Sequence, residues 1–370
     1  MTEPNTDAST SPVILREALD MVPAYQPGKR PTPRPGVPSY KASSNENPYP
    51  PLPSVVAAVH QAGEQANRYP DMFCVDLTQT LADQLGVPET DIVVGTGSSG
   101  VLSQLINATT AAGDSVVYAW RSFEAYPIMV ALTGARSIRV PLTADARHDL
   151  PAMAAAIDDT TRVVLVCTPN NPTGPAITQA ELDDFVAQVP QRVLVVIDEA
   201  YLEFNQDPAT VDGLATYRAH PNVMVLRTFS KAYGLAGLRV GYGVAHAPVA
   251  QALRKCAVPF GVSHTAQLAA LASLSARDEL LVRVKDIVAE RDRVVAGLTE
   301  QGWDLPDTQA NFVWLALGEQ SADFAAFANE AGLSLRPFAG EGVRCSIDIP
   351  ASNDLLLKVA GQWRKRQAAG

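Results

Sequence analysis

Thr228-Phe-Ser-Lys-Ala-Tyr-Gly-Leu-Ala-Gly-Leu-Arg239 follows four apolar residues, Val223, Met224, Val225 and Leu226, that have the length and composition of a buried strand. Lys231 therefore stands just beyond a strand end, with Ser230 and Thr228 one and three residues before it and Arg239 eight after. No carboxylate adjoins it in sequence. A lysine in such company loses its proton more readily once desolvated and becomes a nucleophile toward an aldehyde. Hydroxyls and a guanidinium beside it suit a phosphate. An amine that calls for an aldehyde and a phosphate in one place points to pyridoxal 5'-phosphate. The competing reading is a solvated lysine in a glycine-rich loop.

Apolar runs of similar length recur at 162–167 and 193–197, bounded by turn residues and separated by helical patterns such as 179–188. Upstream, helix-like 55–66 and 77–85 precede a strand at 91–94, a glycine turn, a helix at 101–110 and a strand at 115–118. Short apolar strands alternating with helices predict an α/β fold whose mainly parallel sheet is covered on both faces. After about 261 the texture changes to a long helical stretch (266–302), a strand at 310–315, a helix at 322–330 and further short strands, which predicts a smaller α+β domain. The first dozen residues read as disordered. An amphipathic turn at Ile14, Leu15, Ala18 and Leu19 follows, then a proline-rich stretch over 23–38 that is incompatible with regular structure.

The 370 residues, 47% of them hydrophobic, suffice for two domains and a sizeable core. A formal net charge of −10 argues against nucleic acid and anionic membranes as partners. Anionic ligands must then be held by local arginines and backbone amides. Cys74, Cys167, Cys256 and Cys345 are scattered and the histidines isolated, so a reducing compartment and no metal site are expected. The polar, acidic amino terminus lacks the order of a signal peptide, and no apolar run approaches the ~20 residues of a membrane helix. A cytoplasmic location is expected.

Gly95-Thr-Gly-Ser-Ser-Gly100 matches the dinucleotide-binding pattern between a strand and a helix. That pattern also wants an acidic residue at the next strand end, roughly 20 residues on, and this chain has Ala119-Trp-Arg121 there. A phosphate at the helix amino terminus fits better than a nicotinamide cofactor. Thr168-Pro-Asn-Asn-Pro-Thr-Gly174 follows a buried strand at its carboxyl end, where open α/β sheets bind ligands, although its composition alone is that of an ordinary turn. Asp198, in Ile197-Asp-Glu-Ala-Tyr201, ends an apolar strand and so places a carboxylate at the edge of a buried region. It needs a partner there, either a protonated pyridine nitrogen or a helix amino terminus. Arg336 and Arg344 flank Pro337-Phe-Ala-Gly-Glu-Gly342, and either could be a surface charge. Arg344 begins the strand-like run 345–347, where a bidentate grip on a substrate carboxylate is plausible.

Taken together, these motifs resemble the pyridoxal-phosphate-dependent aminotransferases of fold type I, class I/II, in the branch of histidinol-phosphate and aromatic amino acid aminotransferases. The resemblance runs from Tyr25-Gln-Pro-Gly28 to Arg344. It implies a mainly parallel large domain (46–262) that binds the cofactor, a small carboxy-terminal α+β domain (263–370), and an amino-terminal arm (1–45) packing on the small domain. It implies that Lys231 carries the cofactor and then shuttles the proton, that Asp198 pairs with its pyridinium nitrogen, and that Asn171 and Tyr201 reach its phenolic oxygen. Phe123 would stack on the ring, while Thr228, Ser230, Arg239 and the amides of Ser98 and Ser99 would hold the phosphate. Arg344 would bind the substrate carboxylate, with Tyr25 and Asn47 near the substrate and Arg336 a further candidate. Tyr69, in Asn67-Arg-Tyr-Pro-Asp71, would reach the phosphate of the neighbouring subunit, which implies a homodimer. Amino acids and 2-oxo acids would be exchanged in a ping-pong cycle.

The histidinol-phosphate pattern usually has Gly-Ser-Asp-Glu where this chain has Gly97-Ser-Ser-Gly100. Together with 120–126 and 336–344, this is more similar to the aromatic (phenylalanine) enzymes, for which an apolar pocket is expected. Arg336 and Arg121 leave a phosphate-bearing substrate open. Decarboxylases of phosphorylated amino acids share the scaffold and differ by releasing carbon dioxide. Cofactor-binding regulators of this fold that contact DNA normally carry a basic helix-turn-helix extension, and the acidic balance of this sequence argues against that reading.

Overall fold

Runs of valine, isoleucine and leucine with no polar side need cover on both faces, and the chain supplies it. The computed structural model describes residues 13–22, 25, 28, 31 and 34–369. Its strands are β1 (Tyr40–Lys41), β2 (Ile92–Gly95), β3 (Ser115–Trp120), β4 (Arg136–Pro141), β5 (Thr161–Cys167) and β6 (Leu194–Asp198), followed by β7 (Val223–Thr228), β8 (Gly241–Val244), β9 (Phe312–Leu315), β10 (Leu333–Ser334), β11 (Arg336–Phe338) and β12 (Gly342–Ser346). Seven of them form one sheet in the order β2-β8-β7-β6-β5-β3-β4. From β7 to β4 every pairing is parallel, and β8 is antiparallel to both its neighbours. Successive residues feed opposite cores: Val195, Ile197 and Val225 pack on one side, Val196, Met224 and Leu226 on the other. The fold is α/β, with a mainly parallel sheet between two helical layers.

Strand β8 is not evident in the sequence because Gly241 and Gly243 dilute its β-forming residues. Both glycines have a packing reason. A Cβ on Gly241 would lie 2.3 Å from the amide nitrogen of Ser98, so glycine is what lets the start of helix Ser98–Thr109 press against the strand. The stretch 266–302 is not one helix. It divides into His264–Ser275 and Arg277–Glu300 at Ala276, whose backbone (φ −102°, ψ 23°) leaves the helical range. The first helix packs on Pro53–Gly63 and the second on Pro350–Ala369.

Strands β11, β12 and β9 form a three-stranded antiparallel sheet, and β1 pairs in parallel with β10. The segment after β1 continues along this carboxy-terminal layer, where Ser346 donates its amide to Ala42 O at 3.0 Å and Ser346 Oγ accepts from Asn45 N at 2.8 Å. Ile14 and Leu15, read as the apolar face of a turn, stand exposed, and the first dozen residues lie outside the described part.

At the carboxyl edge of the main sheet, Arg227 Nε donates to Glu199 Oε2 at 2.7 Å, and Glu199 Oε1 accepts from Gly213 N at 3.0 Å. The Glu199 side chain is only 1% exposed. Arg227→Met would leave that carboxylate buried without its cation, and we expect a loss of about 3 kcal/mol in unfolding free energy. The urea midpoint reads this directly, and an unshifted midpoint would contradict it.

Candidate active site

In a parallel sheet all strands deliver their last residues to the same edge, where ligands bind. Here β3 ends at Trp120 and hands on to 121–124, β5 to 168–174, β6 ends at Asp198 itself, and β7 leads through Thr228 to Lys231. These ends meet the start of helix Ser98–Thr109 and strand β12 around a cavity of about 390 Å³. Lys231, Asp198, Asn171, Tyr201, Phe123, Ser98, Ser99, Thr228, Ser230, Arg239, Arg336, Arg344 and Tyr25 all line it.

Asp198 is buried, and one carboxylate oxygen, Oδ2, accepts from the Tyr126 hydroxyl at 2.7 Å. The other, Oδ1, has no partner. Burial pushes this carboxyl up to about 6, against the hydrogen bonds from Tyr126 and the Ala200 backbone. A buried carboxylate with a bare oxygen at a cavity wall fits a cationic N–H donor. Lys231 Nζ donates to Ser44 O at 3.2 Å and lies 5.8 Å from the Tyr201 ring centroid. Burial brings its amine down to about 7, and Arg344 pushes the same way.

The third part of the site is an anion cradle. Gly97 (φ +79°) leads into helix Ser98–Thr109, whose first amides have no intrahelical acceptor. Arg239 Nη2 donates to Ser99 Oγ at 3.3 Å, and Nη1 to Ser230 Oγ at 3.3 Å. A Cβ on Gly97 would stand 2.5 Å from Arg239 Nη2, so the guanidinium needs glycine there to lie over the helix start.

On the opposite wall, Arg344 is buried in the middle of β12 rather than at a strand start. Nη1 donates to Asn171 Oδ1 at 2.6 Å and Nη2 to Ser43 O at 2.8 Å, while Nε is unpartnered. All these acceptors are neutral, so the charge stays available to an anion. Tyr201 OH accepts from Asn45 Nδ2 at 2.9 Å, and burial raises its pKa. Arg336 is not a surface charge either. It is buried, and its Nη2 donates to both carboxylate oxygens of Glu124, at 3.0 and 2.8 Å.

Three further residues named from the sequence do not line this cavity. Asn47 donates to Ala232 O at 2.8 Å and accepts from Tyr49 N at 2.9 Å, bracing the lysine loop from outside the cavity. Arg121 is bonded through Nε and Nη2 to Glu341 and stacks on Trp120. Tyr69 is 84% exposed, its ring against Phe260 and away from the cavity. Conversely, Asn45, Tyr126, Ser43 and Glu124 hold the site together without having been singled out. Tyr126 and Glu124 lie in the aromatic-rich run 120–126, and Asn45 two residues before Asn47, so only the choice within each motif was missing.

An amine near neutral pKa, a half-satisfied buried carboxylate and a phosphate cradle in one cavity define a site for a phosphorylated aldehyde bearing a basic ring nitrogen. Pyridoxal 5'-phosphate has each of these features, and the residues fit it. Residues 40–353 match the family model "Aminotransferase class I and II". The chain belongs to this family, as a pyridoxal-phosphate-dependent aminotransferase of fold type I. It is 58% identical to an aromatic amino acid aminotransferase of Streptomyces avermitilis, over 97% of this chain and 99% of that protein. It is 55% identical to the protein of that name from Thermobifida fusca, over 96% and 98%. Among solved structures, the histidinol-phosphate aminotransferase of Sinorhizobium meliloti in complex with pyridoxal-5'-phosphate is 31% identical, with a TM-score of 0.81 over 88% of this chain and 90% of that one.

Because only the neutral amine adds to an aldehyde, capture of pyridoxal phosphate by cofactor-free protein should accelerate as pH rises through about 7 and then level off. Stopped-flow absorbance checks this. A rate still climbing toward pH 10 would show that burial does not depress Lys231.

Proposed function

We propose that the protein is an aromatic amino acid aminotransferase that passes the amino group of phenylalanine, tyrosine or tryptophan to 2-oxoglutarate. The observation that carries this reading is the wall beyond Lys231. Arg344, bonded only to neutral acceptors, offers a cation for the α-carboxylate, and the Phe338 ring lies 6.0 Å from its guanidinium. An aromatic side chain has an apolar surface to meet there.

When bound, the cofactor supplies a conjugated ring that spreads the electron pair left at the substrate Cα. The protein does the rest. The Lys231 amine would hold the cofactor and would accept the proton that leaves the substrate Cα. Its pKa of about 7 lets it both accept and return that proton. Asp198 Oδ1 would hold the pyridine nitrogen in its protonated form, and Tyr126 keeps that carboxylate in place. Asn171 and Tyr201 would donate to the phenolic oxygen, with Phe123 against the ring. The amides of Ser98 and Ser99, with Thr228, Ser230 and Arg239, would hold the phosphate. Tyr25 borders the substrate, and Asn47 contributes by fixing the loop of Lys231.

We place the working enzyme in the cytoplasm as a homodimer. The free cysteines fit a reducing compartment. Tyr69, Phe73, Val75, Val258 and Phe260 form an exposed apolar surface next to the cradle, which fits a second copy. Tyr69 would then complete the neighbour's phosphate site. Arg336 favours one alternative donor, histidinol phosphate.

Single-turnover conversion of the bound cofactor decides between the donors. We expect the rate constant per unit concentration to be larger for phenylalanine than for histidinol phosphate, and the reverse order would assign the alternative. Lys231→Ala should abolish conversion while leaving the assembly intact, and Asp198→Ala should slow it by about a hundredfold or more. In sedimentation velocity a dimer is expected, and Tyr69→Ala should weaken phosphate-dependent cofactor retention. A monomer that binds the cofactor fully would refute the subunit arrangement.

A further inference from the structure

Asn170, the residue before Asn171, is buried and does not line the cavity, yet its side chain uses every hydrogen-bonding position it has. Nδ2 donates to Arg121 O at 3.1 Å and to Thr173 Oγ1 at 2.8 Å. Oδ1 accepts from Ser122 Oγ at 2.8 Å and lies 3.2 Å from His148 Nε2. The Arg121 carbonyl can only accept, which fixes the sense of the amide. Oδ1 therefore faces His148, and the imidazole must carry its hydrogen on Nε2 to donate. Burial brings that imidazole down to about 4, so it is neutral, and its Nδ1 is left without a partner. The Asn170 backbone is tied as well: its N donates to Pro175 O and its O accepts from Gly174 N, both at 2.8 Å.

These bonds join two loops at the carboxyl edge of the sheet. Loop 121–124 carries Phe123, and loop 168–174 carries Asn171. Phe123 in turn meets Tyr126 edge-on, with ring centroids 5.5 Å apart, and Tyr126 donates to Asp198. The spacing of the two loops thus sets where three groups stand around the cavity.

We propose that Asn170, braced by His148, is a positioning residue that fixes the slot for the cofactor ring by holding these two loops at one separation. The inference deepens the function proposed above and rests on its assignment of Phe123 and Asn171 to that ring. Without the Asn170 amide, Arg121 O, the Ser122 hydroxyl and the His148 Nε2–H would be buried with no partner in Asn170. Their demand for hydrogen bonds would then draw loop 121–124 away from loop 168–174.

A second buried asparagine provides the control. Asn222 Nδ2 donates to Val193 O at 2.9 Å, just before β7 and β6 begin, at the edge of the sheet opposite the site. If Asn170 served only to stabilise the fold, the two asparagines would be equivalent.

Pyridoxal phosphate has no chirality of its own, so the visible circular dichroism of the bound cofactor reports how the site orients its ring. The experiment measures that dichroism on the holoenzyme, the cofactor dissociation constant and the urea midpoint, in wild type, Asn170→Ala, His148→Leu, His148→Gln, Asn222→Ala and Phe123→Leu. Asn170→Ala should weaken cofactor binding by about tenfold and diminish the dichroic band. His148→Leu, which reaches the cavity only through Asn170, should weaken binding by about threefold, and His148→Gln, which keeps an N–H donor there, should restore it. Asn222→Ala should lower the urea midpoint and leave dichroism and binding as in wild type. A lowered midpoint with unchanged dichroism and binding in Asn170→Ala overturns the proposal. Should Asn170→Ala fail to fold, unchanged dichroism and binding in His148→Leu overturns it equally. Unchanged dichroism in Phe123→Leu would instead overturn the placement of Phe123 on the ring, and this proposal with it.

Discussion

The site is organised around a carboxylate kept out of water with only half its hydrogen bonds made. Holding Asp198 at the end of β6 costs on the order of several kcal/mol unless its charge is met. Strand β6, which carries it, is paired on both edges, with β5 and β7, and buried on both faces. One oxygen is satisfied internally by Tyr126, and the other is left for a ligand. In the proposed function that unmet oxygen is what meets a protonated ring nitrogen.

Burial acts in opposite directions on the two titrating groups of the cavity. It lifts the Asp198 carboxyl to about 6 and lowers the Lys231 amine to about 7, drawing an acid and a base that normally differ widely toward the same range. One cavity thus brings together an amine of lowered pKa and a buried carboxylate with an unmet oxygen. Arg239, at the helix start, and Arg344, in β12, are the cations to which the proposed function assigns the phosphate and the substrate carboxylate.

Much of this was legible in the sequence because the chemistry sits at strand ends. Lys231, Asp198 and Asn171 each follow an unbroken apolar run, and such a run fixes both the strand and the place where it stops. The helix break at Ala276 left no mark, because both helices it separates are rich in good helix formers and alanine itself is one. Strand β8 was masked by the glycines that make its packing possible. Arg336 and Arg121 read as open charges because their partners, Glu124 and Glu341, lie more than 200 residues away. The part played by Asn45 rests on its hydrogen bond to Tyr201, between residues 156 apart. Local pattern shows where a polar group is placed, and only the assembled layers show what answers it.

The two ion pairs that join loop 121–124 to the β11–β12 hairpin carry a further consequence. In chain order the loop presents plus then minus, Arg121 then Glu124, and the hairpin presents plus then minus as well, Arg336 then Glu341. They are matched crosswise, first with last and last with first. A hairpin seated in the reversed sense would set arginine against arginine and glutamate against glutamate. The four side chains thus act as a polarity key: electrostatics admits a single orientation of the hairpin over the cavity mouth, and the outline of the pocket is encoded in the order of charges as well as in the fit of surfaces.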